Sequence, residues 1–367
     1  MREVSFYILF LVSFGYGQLF DAGTRANLLV SSRVPITHTS RTNTRYVDPT
    51  NGSDTNNGLN AATSWKTVAA NVARIPIDTE VVFKDGDYTF IESIYYTTDQ
   101  ASPLAAGITF RPQTYRGVTL RGVAKPKRNR DGQAFVFIDG GDSDVEIYGF
   151  KFNGWDCGRA GIIYGYDNCD GIRVIANSFD TSGDSKNDHI IYWSCGPSAT
   201  ATQKNWVIQY NEVVMQKGSG AFIHIYGGTS GLFGPQNCDI KYNIVTGNGR
   251  WAIEYDNVRE KGSKVNMVIA NNIFNATFHD AAMEFSFYGA RSRNGVDVTC
   301  VVKDNEMWNH RVGHGGNVII VAAPNKGQKP HVPTLRNNNY HTSPGHNALN
   351  GISAGPGDVV YTDVGVK

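Results

Sequence analysis

Little in this chain of 367 residues points to nucleic acid, membrane or a bound zinc. Charged residues are only 18% of it and their formal sum is +1, which leaves no basic stripe of the kind a nucleic-acid footprint needs. The local run Arg121–Arg130 (RGVAKPKRNR) reads as a solvated loop, with an anionic-glycan contact as the second reading. No CxxC pair occurs among the five cysteines, so a structural zinc knuckle is not expected, and the odd count leaves at least one thiol free in a monomer. Cys300 reads as a small core residue, and Cys169 and Cys238 share an NCD context in corresponding turns. The glycine-rich Gly227–Gly234 (GGTSGLFG) lacks the lysine and helix of a phosphate loop. No run of 18 apolar residues is present, so no spanning helix is expected.

What the chain does have is glycine, 40 residues of it, and short runs of Ile, Val, Tyr and Phe bounded by Gly, Asn, Asp and Ser. These are strand and turn signals. One pattern recurs: VIANSF at Asn177, IQYNEV at Asn211, IKYNIV at Asn243, IANNIF at Asn272, VKDNEM at Asn305 and LRNNNY at Asn338. The intervals are 34, 32, 29, 33 and 33 residues. A second strand precedes each Asn, with copies starting at Gly161, His189, Ala221, Ala252, Ala282 and Asn317. Self-similarity at this period marks a solenoid, propeller or array. The apolar runs lack helical periodicity, and too few strands fit one repeat for a propeller blade. One coil of a parallel β-helix fits. There, an Asn at the same bend of every coil, about 4.8 Å apart, passes hydrogen bonds along the stack and escapes the cost of a buried, unpaired amide.

With this ladder and the opening segment RYVDPTNGSDTNNGLNAATSWKTVAANVARI in view, the chain resembles the right-handed parallel β-helix superfamily that includes pectate lyases and phage tailspikes. The resemblance spans roughly residues 45–345. It implies an all-β, single-stranded right-handed solenoid and a secreted protein acting on or binding polysaccharide. The expected organisation is a signal peptide over 1–17, with its apolar core at Phe6–Phe14, a linker over 18–44, an N-terminal cap over 45–90, the β-helix over 91–345 and a tail over 346–367. The cap is expected to hold an amphipathic helix from Thr63 or Ser64 to about Arg74, with Trp65, Val68, Ala69, Val72 and Ile75 on one face. The tail offers no amphipathic cap of its own.

For chemistry, aligning the recurring strands places Glu254 and Glu284 in one column on adjacent coils, opposite Ile191, Ile223 and Ile319 elsewhere, with Asp256 on the same face. Adjacent carboxylates suit a retaining glycosidase pair or, as Glu254, Asp256 and Glu284, a Ca2+ site; otherwise they are solvated acids on a polar face. Arg250, Trp251, Arg291 and Arg293 flank the column as clamps and a stacking ring for an acidic sugar. The opposite phase groups Tyr164, Tyr192, His224, Tyr255 and Phe285; the tyrosines are assigned to the core, with Tyr255 a substrate contact if that phase turns outward, and His224 is kept as a candidate acid or base. His189, opening its strand, is a second such candidate, and Trp193 follows it as a groove residue. The spacing of His310 and His314 is metal-like but falls in a turn. The expected function is depolymerisation of an anionic polysaccharide by β-elimination. Glycoside hydrolysis through Glu254 and Glu284 and non-catalytic glycan adhesion are the alternatives. No nucleic acid or membrane partner is expected, and the chain is expected to be a monomer or homotrimer.

Overall fold

The structure is a computed structural model that describes residues 37–90, 93–97, 107–122, 134–139, 144–155, 161–166, 169–181, 188–194, 204–226, 236–256, 264–286, 297–311, 317–321, 332–343 and 346–361. The expected signal peptide, Arg291, Arg293, His314, Cys157, Cys195 and most of the basic run after Gly122 lie outside these residues. The architecture that follows is that of His38–Lys367.

The chain is an all-β parallel β-helix. Three ladders of parallel strands run along it. The first contains ten strands, from Asn43–Val47 through Arg173–Ile175, Val207–Gln209, Cys238–Lys241 and Lys264–Ala270 to Thr334–Arg336. The second runs from Gly86–Phe90 through Lys151–Trp155, Ser178–Thr181, Ile273–Phe278 and Glu306–Asn309 to Asn339–Thr342 and Val359–Tyr361. The third runs from Ile94–Thr97 through Val136–Asp139, Gly161–Tyr166, His189–Ser194, Ala281–Ser286 and Asn317–Val321 to Leu349–Asn350. Two long strands, Glu212–Tyr226 and Ile244–Asp256, cross the corner without a break and join the second ladder to the third. Their mutual register shifts between Met215 and Ser219, at that corner.

In-register stacking puts equivalent residues on top of one another. The inward column Phe152, Phe179, Val213, Val245, Phe274, Met307 and Tyr340 is buried throughout. Phe152 and Phe179 stack at 5.0 Å. Cys169, Cys238 and Cys300 are free thiols within the same core.

The recurring asparagines form the expected ladder, and each is at most 2% exposed. Asn177 Nδ2 donates to Asn211 Oδ1, and the same bond repeats from Asn211 to Asn243, Asn272, Asn305 and Asn338 at 2.9–3.2 Å. Each Oδ1 also accepts the backbone N–H of the preceding Asn, as Asn243 does from Asn211 at 3.1 Å. Nδ2 spends its other proton on a carbonyl one coil back, Asn243 on Ile208 at 2.9 Å. The residue before each Asn takes positive φ: Ala176, Tyr210, Tyr242, Asn271, Asp304 and Asn337 lie between 54° and 60°. A non-glycine residue in that region costs roughly 1–2 kcal/mol, which the buried hydrogen bonds of the following Asn offset. Gly149 occupies the same place, at φ 73°, in the earlier coil that lacks the Asn.

The ladder ends on an acid. Asp358 Oδ1 accepts Asn338 N–H at 2.7 Å and Nδ2–H at 3.1 Å, and its Oδ2 accepts Tyr340 OH at 3.0 Å and Gly355 N–H at 2.7 Å. The Asn-to-Asn donors all point toward the C-terminal end, so the last amide needs an acceptor beyond it, and a carboxylate supplies one. The tail, without an amphipathic element, thus closes the last coil by hydrogen bonding, and its strand Val359–Tyr361 pairs with Asn339–His341.

At the other end the expected amphipathic helix is replaced by two 3-10 turns, Ala61–Thr63 and Ala69–Arg74. Trp65 between them pairs with Val47 as an extension of the first ladder, and its ring is fully buried. The pull of that indole into the coil end breaks the helical phase. The last residues of the expected linker are docked: Thr39 N–H and Oγ1–H both donate to the buried Glu146 carboxylate at 2.8 Å, and Arg41 meets Asp144 at 2.7 Å.

Asn243→Ala removes an acceptor shared by two donors of Asn211 and leaves Ile208 O without its Nδ2 donor. It is expected to cost about 3 kcal/mol of unfolding free energy, read from the urea midpoint at unchanged slope. Asp358→Ala is expected to cost about 2 kcal/mol by the same logic at the ladder's end.

Candidate functional site

The third ladder presents one outward column: Phe137, Tyr164, Tyr192, His224, Glu254, Glu284 and Ile320, each Cα-paired with the next. Glu254 and Glu284 are therefore neighbours as expected, but the residue beside Glu254 on the preceding coil is His224 rather than Ile223. Ile191, Ile223, Ile253, Met283 and Ile319 form the inner column, one residue earlier. The slip has a local cause. In each coil two successive residues at the corner point inward: Ile190 with Ile191, Phe222 with Ile223, Ala252 with Ile253, Ala282 with Met283. The copies beginning at Ala221 and Ala252 look alike, but Ala221 pairs with Trp251, so the copies from Ala252 and Ala282 sit one residue off that alignment.

Tyr164 and Tyr192 face outward, against the core assignment, whereas Tyr255 and Phe285 lie in the core as assigned, which removes Tyr255 as a substrate contact. Tyr255 pairs with Ile225 and Phe285, is fully buried, and has no face for a ligand. Trp193 is also in the core, stacked on Trp206 at 4.1 Å. Its neighbour Gly165 is what makes room, since a Cβ there would lie 2.5 Å from the Trp206 ring. In place of these two, the outward rings form a continuous half-exposed platform: Phe137 to Tyr164 at 4.6 Å, Tyr164 stacked on Tyr192 at 5.0 Å, and Tyr192 against His224 at 5.0 Å.

At the acidic end of the platform the partners are specific. Trp251 is 4% exposed and packs on Ala221 and Ala281, whose small side chains let the indole lean across the coils. Its Nε1–H donates to Glu284 Oε2 at 2.7 Å. Trp251 thus orients a carboxylate and is not a stacking surface for sugar. Arg250 lies 4.0 Å over the Trp251 ring and is ion-paired with Asp280, a partner that nothing in the local sequence pattern of Glu254 or Glu284 indicated. Asp256 aligns with Tyr226 and Ser286 at the end of its strand.

His189 and His224 come together from successive coils. His189 is 4% exposed; its Nδ1 accepts Ala221 N–H at 3.1 Å, and its Nε2 is 2.9 Å from His224 Nδ1. His224 Nε2 is 3.6 Å from Glu254 Oε2. The ligand-type atoms of His189, His224 and Glu254 lie within 4.8 Å of one another, so the three could hold a divalent ion. Two imidazoles favour a transition metal over the Ca2+ expected from an all-carboxylate set. Burial pushes the His224 imidazole down to about 3. Burial, then His224 and Arg250, hold His189 well below the ordinary histidine range. Both rings are therefore neutral at working pH.

On the second ladder, His341 meets Glu306 at 2.6 Å and stacks between Trp308 and Tyr361 near the C-terminal end. His310, expected to be a turn residue, contacts Asn275.

No family profile matches this chain, and no curated protein does. Among solved structures it is similar to a GH136 lacto-N-biosidase from Eubacterium ramulus, at 12% identity and TM-score 0.45, over 88% of this chain and 67% of that one. It is also similar to the pectate lyase Pel9A, at 15% identity and TM-score 0.37, over 86% and 77% of the two chains. A rhamnogalacturonan lyase aligns at 13% identity and TM-score 0.36, over 88% and 85%. Among the described residues no helix is long and apolar enough to cross a membrane.

The depressed His224 pKa has a stability consequence. The unfolded chain takes a proton on His224 near pH 6.5 and the folded chain does not until about 3. Stability from this residue is present above pH 6.5 and is lost as pH falls, by about 2 kcal/mol at pH 5. Unfolding of the wild type and His224→Gln, compared at pH 7 and pH 5, is expected to show a smaller acid loss in the variant.

Proposed function

We propose that this chain is a secreted carbohydrate-active enzyme that hydrolyses glycosidic bonds of a polysaccharide, with Glu254 and Glu284 as its carboxyl pair. The observation that supports it most is the register Glu254↔Glu284 on the outward face, directly beside the Phe137–Tyr164–Tyr192 platform. Adjacent coils set the two backbones about 4.8 Å apart, close to the roughly 5–5.5 Å carboxyl spacing of retaining glycosidases. Rings in a row offer a strip of apolar edges to successive sugar units. Glu284 is assigned the general-acid role, with Trp251 Nε1–H donating to its Oε2. Glu284 protonates the glycosidic oxygen as the bond from that oxygen to the anomeric carbon breaks. The Glu254 carboxylate forms the new bond to that carbon. Water then displaces Glu254, and Glu284 takes the water's proton.

β-Elimination, the first expectation from the sequence, has weaker support in this geometry. It needs a base for a carbon acid and a cation for the developing charge. His224 is too weak a base with its pKa near 3, and Arg250 is engaged by Asp280.

Incubated with neutral and acidic polysaccharides, with and without calcium, the protein is expected to release reducing ends with no rise in ultraviolet absorbance. The product is expected to keep the anomeric configuration of the substrate. Glu254→Gln and Glu284→Gln are each expected to lower kcat by about 10³-fold. A rise in absorbance would establish elimination instead. Binding without cleavage across the panel would establish an adhesion role.

A further inference from the structure

One backbone amide determines what the two histidines can do. The Ala221 N–H can only donate, so His189 Nδ1, 3.1 Å away, presents a lone pair to it. A neutral ring with its lone pair at Nδ1 carries its proton at Nε2. That Nε2–H faces His224 Nδ1 at 2.9 Å and donates to it. His224 in turn must carry its proton at Nε2. This Nε2 is buried, has no hydrogen-bond partner, and is 3.6 Å from Glu254 Oε2. At that separation the carboxylate is the nearest charged acceptor given for this N–H, just beyond ordinary hydrogen-bond length.

The same order of protons disfavours a metal. A ligating imidazole offers one lone pair to the ion and donates an N–H from its other nitrogen. For His189 to bind through Nε2, its Nδ1 would carry a proton aimed at the Ala221 N–H. For His224 to bind through Nε2, its Nδ1–H would meet the Nε2–H of His189. Either arrangement sets donor against donor or requires an imidazolate.

We propose that His189 and His224 are positioning residues: a tautomer-locked chain, Ala221 N–H to His189 to His224 to Glu254, that delivers a neutral N–H donor to the Glu254 carboxylate. Its catalytic consequence rests on the proposed role of Glu254 as nucleophile. The donor steadies the Glu254 carboxylate for attack on the anomeric carbon, as Trp251 Nε1–H steadies Glu284 on the next coil. Neutral rings make the chain a donor without adding a charge that would blunt the nucleophile.

The lock is testable without any substrate. Long-range ¹⁵N–¹H spectra of the full chain between pH 5 and 8 are expected to show both rings neutral and protonated at Nε2, unchanged on adding equimolar zinc sulfate. An Nδ1–H tautomer at either ring, or zinc-dependent shifts of the His189 and His224 nitrogens, would overturn the proposal. His189→Leu is expected to release His224 into a mixture of tautomers. His189→Gln, whose amide can accept from Ala221 and donate to His224, is expected to retain the Nε2–H form. Once a cleaved substrate is in hand, His189→Leu is expected to lower kcat about tenfold at nearly constant KM and to raise the acidic limb of the pH–rate profile by about one unit. His189→Gln is expected to restore most of both. Intact locking in the spectra with no kinetic effect of His189→Leu would remove the catalytic part of the proposal, whereas absence of cleavage would count against the hydrolase reading alone.

Discussion

The buried asparagine bond, repeated once per coil, is the constraint on which the rest of this molecule depends. It fixes where the backbone turns from the first ladder into the second. It sets the register of each coil on the next, because Asn243 Oδ1 must meet Asn211 while its Nδ2 reaches Ile208. Everything outward inherits that register. Glu254 lies over Glu284, and His224 beside Glu254, because the coils are held in step from one corner of the section. The ladder also has a direction. Its Asn-to-Asn donors all point toward the C-terminal end, where the Asp358 side-chain oxygen accepts the last of them.

The outer face of the third ladder uses size in the same way the corner uses hydrogen bonding. Gly161 pairs with His189, Ala221 with Trp251, and Ala281 with Asn317. Small residues next to large ones let side chains lean over a neighbouring coil. Trp251 reaches Glu284 across Ala281 in this way, and the amide of Ala221 is open to His189. Polar groups that would be costly alone in a half-buried strip are thereby paired between coils. The result is a row of rings running into two carboxylates, each with a neutral ring N–H within reach.

The fold was legible because its signal is periodic. Six asparagines at intervals near 32 residues, each before a short apolar run, admit few architectures. The site was only half legible. Glu254, Glu284, His189, His224 and Arg250 stood out as polar residues in strands that should be apolar, and the structure brings all five to one strip. Trp193 was misread because alternation was counted from His189 through a corner where two residues in succession face inward, and the role of Trp251 because its partner Glu284 lies on the next coil. Asp280 carried no signal, being one more acid in a turn, and Ala221 acts through its amide, which every residue has.

The sequence alone determined that the chain winds into stacked coils, and where each coil turns, because apolar period and buried amides are local and repeat. It also determined which residues are chemically able to act. Only the tertiary structure decided which of them meet. A shift of one residue between coils exchanges an isoleucine for a histidine beside Glu254, and that shift is set by the geometry of the corner. The direction of the histidine chain was likewise invisible in the letters, since a backbone N–H from the next coil orders its protons.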